Sequence, residues 1–188
     1  MNDQSMLMRS ASLILLLCLI FSGCTPTVRL YFVRHAEKSS SPAGDPDLTE
    51  AGRQRAEALA RILKRHGIEA IHSTDTRRTR QTAAPLSEAV GVPVRLYSQD
   101  TVQRFLYALM DAERNALVVG HSNTVLGMIR SLGLEPSEME IKDHEYGNLF
   151  LVTMKPKNGL GGYDLNLKER TYGRKSVPGP VSAPPMQR

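Results

Sequence analysis

Two spacings of apolar residues alternate along this chain. Short runs dominated by apolar, β-branched or aromatic residues occur at 28–33, 70–72, 93–97 and 116–119. Runs of this length predict strands covered on both faces. Between them, apolar residues recur at helical spacing. Ala51, Ala56, Leu59, Ala60, Ile62 and Leu63 form one stripe, opened by Thr49 as an N-cap and stopped by Gly67. A second helix is predicted over 78–89, closed by Gly91, and a third over 101–113, with Val102, Phe105, Leu106 and Leu109 facing inward. The stripe Val125, Met128, Ile129 and Leu132, ending at Gly133, predicts a fourth. Runs at 149–154 and 163–167, joined by a glycine-rich link, read as an antiparallel hairpin completing an edge. The alternation predicts an α/β fold of three layers, α/β/α, around a mainly parallel central sheet. No internal repeat is visible.

The ends of the chain depart from this pattern. Arg9 precedes the apolar run 13–21, which is short for a bilayer span and is followed by Ser22, Gly23 and Cys24. Residues 1–23 therefore read as a signal peptide. Both cysteines, Cys18 and Cys24, lie at this end, so the folded part has no disulfide or thiol chemistry. Residues 24–27 form a tether that reaches roughly 14 Å when extended. The folded domain is expected over 28–172. From 173 to 188 the chain carries four prolines and no apolar period, and is expected to be disordered.

A net charge of +5 raises the question of nucleic acid. The cations are spread rather than run together, and aromatic residues make up only 5% of the chain, so no stacking platform accompanies them. A small anionic ligand explains the charge better. Three strand ends carry the candidate chemistry: Arg34-His35 after the first strand, Arg77, Arg78 and Arg80 after the second, and His121 after 116–119. Ligands in open α/β sheets bind outside the carboxyl ends of the strands. Guanidinium forks match phosphate oxygens and stay charged, and a neutral imidazole is a competent nucleophile toward phosphorus. Neighbouring arginines are expected to hold it neutral. The helix following His121 favours an anion at its start. No His-Glu-x-x-His or carboxylate-rich spacing supports a metal, which the arginines would repel, so neither metal nor cofactor is expected. No G-x-S-x-G elbow supports a serine hydrolase. His66, His72 and His144 read as surface or structural.

Arg34-His35-Ala36, Arg78-Thr79-Arg80-Gln81-Thr82-Ala83 and Gly120-His121-Ser122 resemble the three signatures of the histidine phosphatase superfamily. The segment 47–54 resembles its helix-opening stretch, and the likeness runs from about 30 to 153. The resemblance implies a phosphoglycerate-mutase-like fold without a large cap insertion, close to the small bacterial branch that includes phosphohistidine phosphatases. It implies a catalytic set of His35, Arg34, Arg78 and His121. His35 would be the nucleophile that becomes phosphohistidine, with Arg34 and Arg78 binding phosphate and His121 stabilising the transferring group. Counting back from Gln81 selects Arg78 over Arg77 and Arg80. No residue matches a general acid motif; Glu37 and Asp100 are the candidates. The implied activity is metal-independent hydrolysis of phosphomonoesters. The alternatives are a degenerate domain that binds phosphorylated or anionic ligands and, disfavoured by the missing cap, a phosphomutase.

Phe21-Ser22-Gly23-Cys24 resembles a bacterial lipoprotein signal, cleaved before a cysteine that is then acylated. That implies an exported protein anchored to a membrane through Cys24, facing the periplasm or cell envelope. In a Gram-negative source, Thr25 in place of Asp resembles outer-membrane sorting. The expected partners are a small phosphorylated substrate and the membrane, without nucleic acid, and the oligomeric state is not assigned. Specificity is expected in the loops 38–47 and 135–146.

Overall fold

The computed structural model describes residues 27–157 and 161–175. The expected signal peptide, Cys24 and residues 176–188 of the expected tail lie outside the described residues, whereas Gly173 to Lys175 are described and Arg174 O accepts from Arg55. Six strands and four helices are described: β1 (Val28–Arg34), α1 (Glu50–Leu63), β2 (Ala70–Ser73), α2 (Arg77–Val90), β3 (Val94–Leu96), α3 (Val102–Asp111), β4 (Ala116–Gly120), α4 (Ser122–Ser131), β5 (Asn148–Pro156) and β6 (Tyr163–Thr171). They form one sheet in the order β3-β2-β4-β1-β5-β6. The pairs β3/β2, β2/β4 and β4/β1 are parallel, whereas β1/β5 and β5/β6 are antiparallel. The expected mainly parallel sheet with a hairpin edge is present, and the hairpin strands extend further than their apolar runs.

The central strands alternate between two cores. Leu30 and Phe32 of β1, with Ala116 and Val118 of β4, pack under α3 and α4 against Leu106, Leu109, Val125 and Met128. Tyr31, Val33, Leu117 and Val119 point the other way, against Leu59 and Leu63 of α1 and Ala83 and Leu86 of α2. Period-two alternation on a doubly covered strand therefore gives three layers. Helix ends fall where the side chains dictate. Thr49 Oγ1 accepts from Gly52 N at 3.1 Å to open α1, and Gly91 closes α2 at φ +69°. His66 and His72 serve the scaffold: His66 Nδ1 lies 3.0 Å from the Tyr31 hydroxyl, and His72 stands edge-on to Phe105. Among the described residues no helix is long and apolar enough to cross a membrane.

The parallel register of β1 and β4 pairs Arg34 with Gly120. The residues that follow, His35 and His121, therefore leave the sheet side by side. His35 N donates to Gly120 O at 2.9 Å, which fixes the first of them to the strand that carries the second.

Candidate active site

His35 and His121 meet with ring centroids 5.4 Å apart, edge to face, and both are almost fully buried. His35 Nδ1 lies 2.8 Å from the Ala36 carbonyl oxygen. A carbonyl only accepts, so Nδ1 carries the proton and donates it. The neutral ring then has its lone pair on Nε2. Burial, ahead of the Arg34, His121 and Arg78 charges, pushes the His35 pKa down to about 3. For His121, burial and then Arg78 and Arg34 bring it to about 4. Both rings are neutral at neutral pH, as expected, but desolvation is the leading cause and the arginines are secondary.

The two arginines come from different strand ends. Arg34 is 4% exposed. Its Nη1 donates to the carbonyls of Lys142, Glu145 and Asp143 at 2.7, 3.1 and 3.2 Å, and its guanidinium lies 4.4 Å from the Tyr146 ring centroid. Half of the fork thus holds the loop after α4. Arg78 enters from the first turn of α2, and Gly44 O and Asp45 Oδ1 lie 3.3 and 3.5 Å from its Nη1. The Nε of each arginine is buried without a hydrogen-bond partner. Both guanidiniums act electrostatically on the histidine pair, and an arginine fork suits an oxyanion. Arg77 and Arg80 turn to Asp47 and Asp75.

The general acid candidates are held by other partners. Both oxygens of Glu37 accept from Arg55, the shortest contact being 2.7 Å. Asp100 lies in an exposed turn and accepts from the Ser98 hydroxyl at 3.4 Å. Neither makes a described contact with the histidines. Asp143 reaches Arg34 Nη2 at 3.8 Å and is fully exposed. Among the described residues no group of three or more His, Cys, Asp or Glu is arranged to hold a metal ion.

Three site residues escaped sequence reasoning. Thr74 Oγ1 lies 2.9 Å from His121 Nε2, and its hydroxyl is also 3.1 Å from Thr79 Oγ1. That pair anchors the far edge of the His121 ring. Tyr146 packs 6.0 Å from the His35 ring centroid while lying under Arg34. Asp45 accepts from Arg77 N at 2.8 Å and faces Arg78, so it caps α2 and sits against a pocket arginine at once. Tyr146 and Asp45 belong to the loops 135–146 and 38–47, expected to carry specificity. His144 lies in the first of these loops too.

Residues 30–99 match the family model described as histidine phosphatase superfamily (branch 1). A stretch of 73 residues, 36% of this chain, is 40% identical to phosphoserine phosphatase 1 of Hydrogenobacter thermophilus. The alignment spans 35% of that protein. Mycobacterial glucosyl-3-phosphoglycerate phosphatase superposes with a TM-score of 0.58 at 17% identity, over 76% of this chain and 97% of that one. The protein histidine phosphatase SixA complexed with tungstate also gives 0.58, at 18% identity, over 77% and 97%. At such identities the likenesses establish the fold. The matched stretch contains Arg34, His35 and Arg78, and the shared fold adds the strand end that carries His121. Over residues 30–99, then, the chain is similar to the histidine phosphatase superfamily (branch 1), and the solved structures share its fold.

Proposed function

We propose that the protein hydrolyses small phosphomonoesters through a covalent phosphohistidine on His35. The observation that carries this reading is the Nδ1–H to Ala36 O bond at 2.8 Å, which leaves the Nε2 lone pair as a nucleophile beside the Arg34 and Arg78 guanidiniums. In the first step Nε2 forms a bond to phosphorus, and the ester oxygen departs with the bonding pair and takes a proton. In the second, water attacks phosphorus, the P–N bond breaks, and phosphate leaves with His35 restored. Arg34, Arg78 and His121 lie where charge on the phosphoryl oxygens would develop, so they act electrostatically in both steps. The relatives named as phosphoserine and glucosyl-3-phosphoglycerate phosphatases suggest small organic phosphates as substrates.

The full chain in detergent should release phosphate from nitrophenyl phosphate in the presence of chelator. Acid-labile, base-stable label on the protein after a rapid quench should report the intermediate. Both signals should vanish in His35→Asn, and full activity in that variant would refute the assignment. A binding-only domain is the second reading, because Glu37, Asp45 and Asp143 are each paired with an arginine. Tight phosphate binding without turnover across a substrate panel would favour it.

The reading includes export. Residues 13–24 support a lipoprotein signal with Cys24 as the acylated residue, and a tether of a few residues would keep the domain near the membrane. Phosphorylated envelope components and small phosphate esters then come within reach, whereas cytoplasmic phosphohistidine proteins do not. Fractionation tests this: soluble cytoplasmic protein, or Cys24→Ala that is still processed and membrane-bound, would sink it.

A further inference from the structure

The ion pair that holds Glu37 reaches beyond Glu37. Arg55 lies on the inner face of α1 and is 4% exposed. On one side its Nε and Nη2 fork onto the Glu37 carboxylate, with contacts of 2.7 to 3.0 Å. On the other, Nη1 donates to the Tyr172 carbonyl and Nη2 to the Arg174 carbonyl, both at 2.8 Å. Tyr172 N donates in turn to Gly147 O at 2.9 Å. The residue before Gly147 is Tyr146, which packs against His35 and Arg34. One guanidinium thus joins the loop after the nucleophile, the chain after β6 and the backbone beside Tyr146.

The surroundings are shaped to it. A Cβ at Gly147 would lie 3.1 Å from Arg55 Nη1, and one at Gly173 would lie 2.9 Å from it. Stability alone does not account for such a residue, since apolar replacements of a buried ion pair are often as stable. What an arginine fork adds is fixed geometry.

We propose that Arg55 is a positioning residue for the phosphoryl-transfer site, acting through Glu37 on the His35 loop and through Tyr172 on Tyr146. This rests on His35 being the phosphorylated residue. Releasing the fork would let the loop that carries His35 shift against Arg78 and His121. A misplacement of about 1 Å costs on the order of 100-fold in rate. The loss falls on the nucleophile and not on the departing group, so it is the same for good and poor leaving groups.

The test uses the full chain in detergent with Arg55→Lys, Glu37→Gln, the double variant, and Gly173→Ala, which presses on the guanidinium without removing it. Thermal unfolding verifies that each is folded. Turnover is measured on nitrophenyl phosphate and on glycerol phosphate, and the imidazole NMR signals of His35 are followed with those of His72 as a remote control. The expected result is a fall in kcat of about 10–100-fold on both substrates, with KM within about threefold. The double variant is no worse than the poorer single, and the His35 signals move while those of His72 stay. A folded Arg55→Lys or Gly173→Ala with wild-type kcat and unmoved His35 signals overturns the proposal. So does a Glu37→Gln loss confined to glycerol phosphate, which would make Glu37 a proton donor. Absence of a phosphoenzyme in the parent chain would instead refute the His35 reading, and the His35 signals alone then decide whether Arg55 positions that loop.

Discussion

Keeping two imidazoles neutral in a buried pocket has a consequence for acid stability whose size follows from the structure. His35 and His121 have an ordinary value of 6.5, and in the folded protein they are pushed down to about 3 and about 4. Between those values and 6.5 the unfolded chain binds protons that the native state refuses. The contribution is therefore fully present above about pH 6.5 and is lost as the pH falls toward the folded values. At about pH 5 both folded values lie below the pH, so the loss depends almost entirely on the unfolded value. It comes to about 2 kcal/mol for each histidine relative to neutral pH. Together the pair removes about 4 kcal/mol, a large part of the 5–15 kcal/mol typical of a domain.

Urea unfolding of the parent chain and of His35→Asn, each at neutral pH and at about pH 5, isolates the effect. The asparagine does not titrate, and comparing each protein with itself cancels the cost of the substitution and the contribution of the carboxylates. The variant should lose about 2 kcal/mol less than the parent on acidification. Equal losses within about 0.5 kcal/mol, or an NMR titration showing His35 protonated at about pH 5, would refute the burial argument. The same neutrality keeps the Nε2 lone pair available, so the acid limb of activity should not fall at the ordinary histidine value.

Other perturbations probe the rest of the site. Asp45→Asn removes a carboxylate 3.5 Å from Arg78 and should tighten inorganic phosphate binding by about two- to fivefold by calorimetry, in line with a partly exposed pair. Gly52→Ala places a Cβ 2.2 Å from the Glu37 carbonyl, inside any contact distance, and should cost about 1–3 kcal/mol in chemical unfolding. Thr74→Val keeps shape but strips the partner from buried His121 Nε2, costing about 1–3 kcal/mol and lowering kcat more than it raises KM.

The fold was legible because its signal is local. The residues of β1 alternate between two cores, so a doubly buried strand shows as an apolar run, and the helix ends carry Thr49 and Gly91 where capping requires them. The pairing of Arg34 with Gly120 needs only the parallel register, which brings His35 beside His121 from motifs far apart in the chain. Thr74, Tyr146 and Asp45 carried no such signal. Thr74 meets His121 across 47 positions, and Tyr146 gains its place from a loop that Arg34 holds through backbone carbonyls, which any sequence supplies. The general acid candidates misled for a related reason. Nearness of Glu37 to His35 in sequence says nothing of Arg55, which approaches from another helix and takes both carboxylate oxygens.

The pairing of carboxylates with arginines bears on what the pocket can process. Three acids around the site face a guanidinium: Glu37 that of Arg55, Asp45 that of Arg78, Asp143 that of Arg34. A carboxylate whose oxygens accept from arginine is poorly placed to give a proton to a departing alkoxide. On the proposed reading, Arg34, Arg78 and His121 would concentrate their electrostatics on the phosphoryl group and leave the departing group to solvent or to its own acidity. Such a site gains little from the identity of the leaving alcohol through proton transfer. On the same proposed reading, selectivity would come from the two loops that hold Asp45 and Tyr146, which border the same arginines. The half of the site that would hold the phosphoryl group is, on that reading, built from strand ends and the Arg55 fork, and the half that would recognise the alcohol is built from connecting segments free to differ in length and charge.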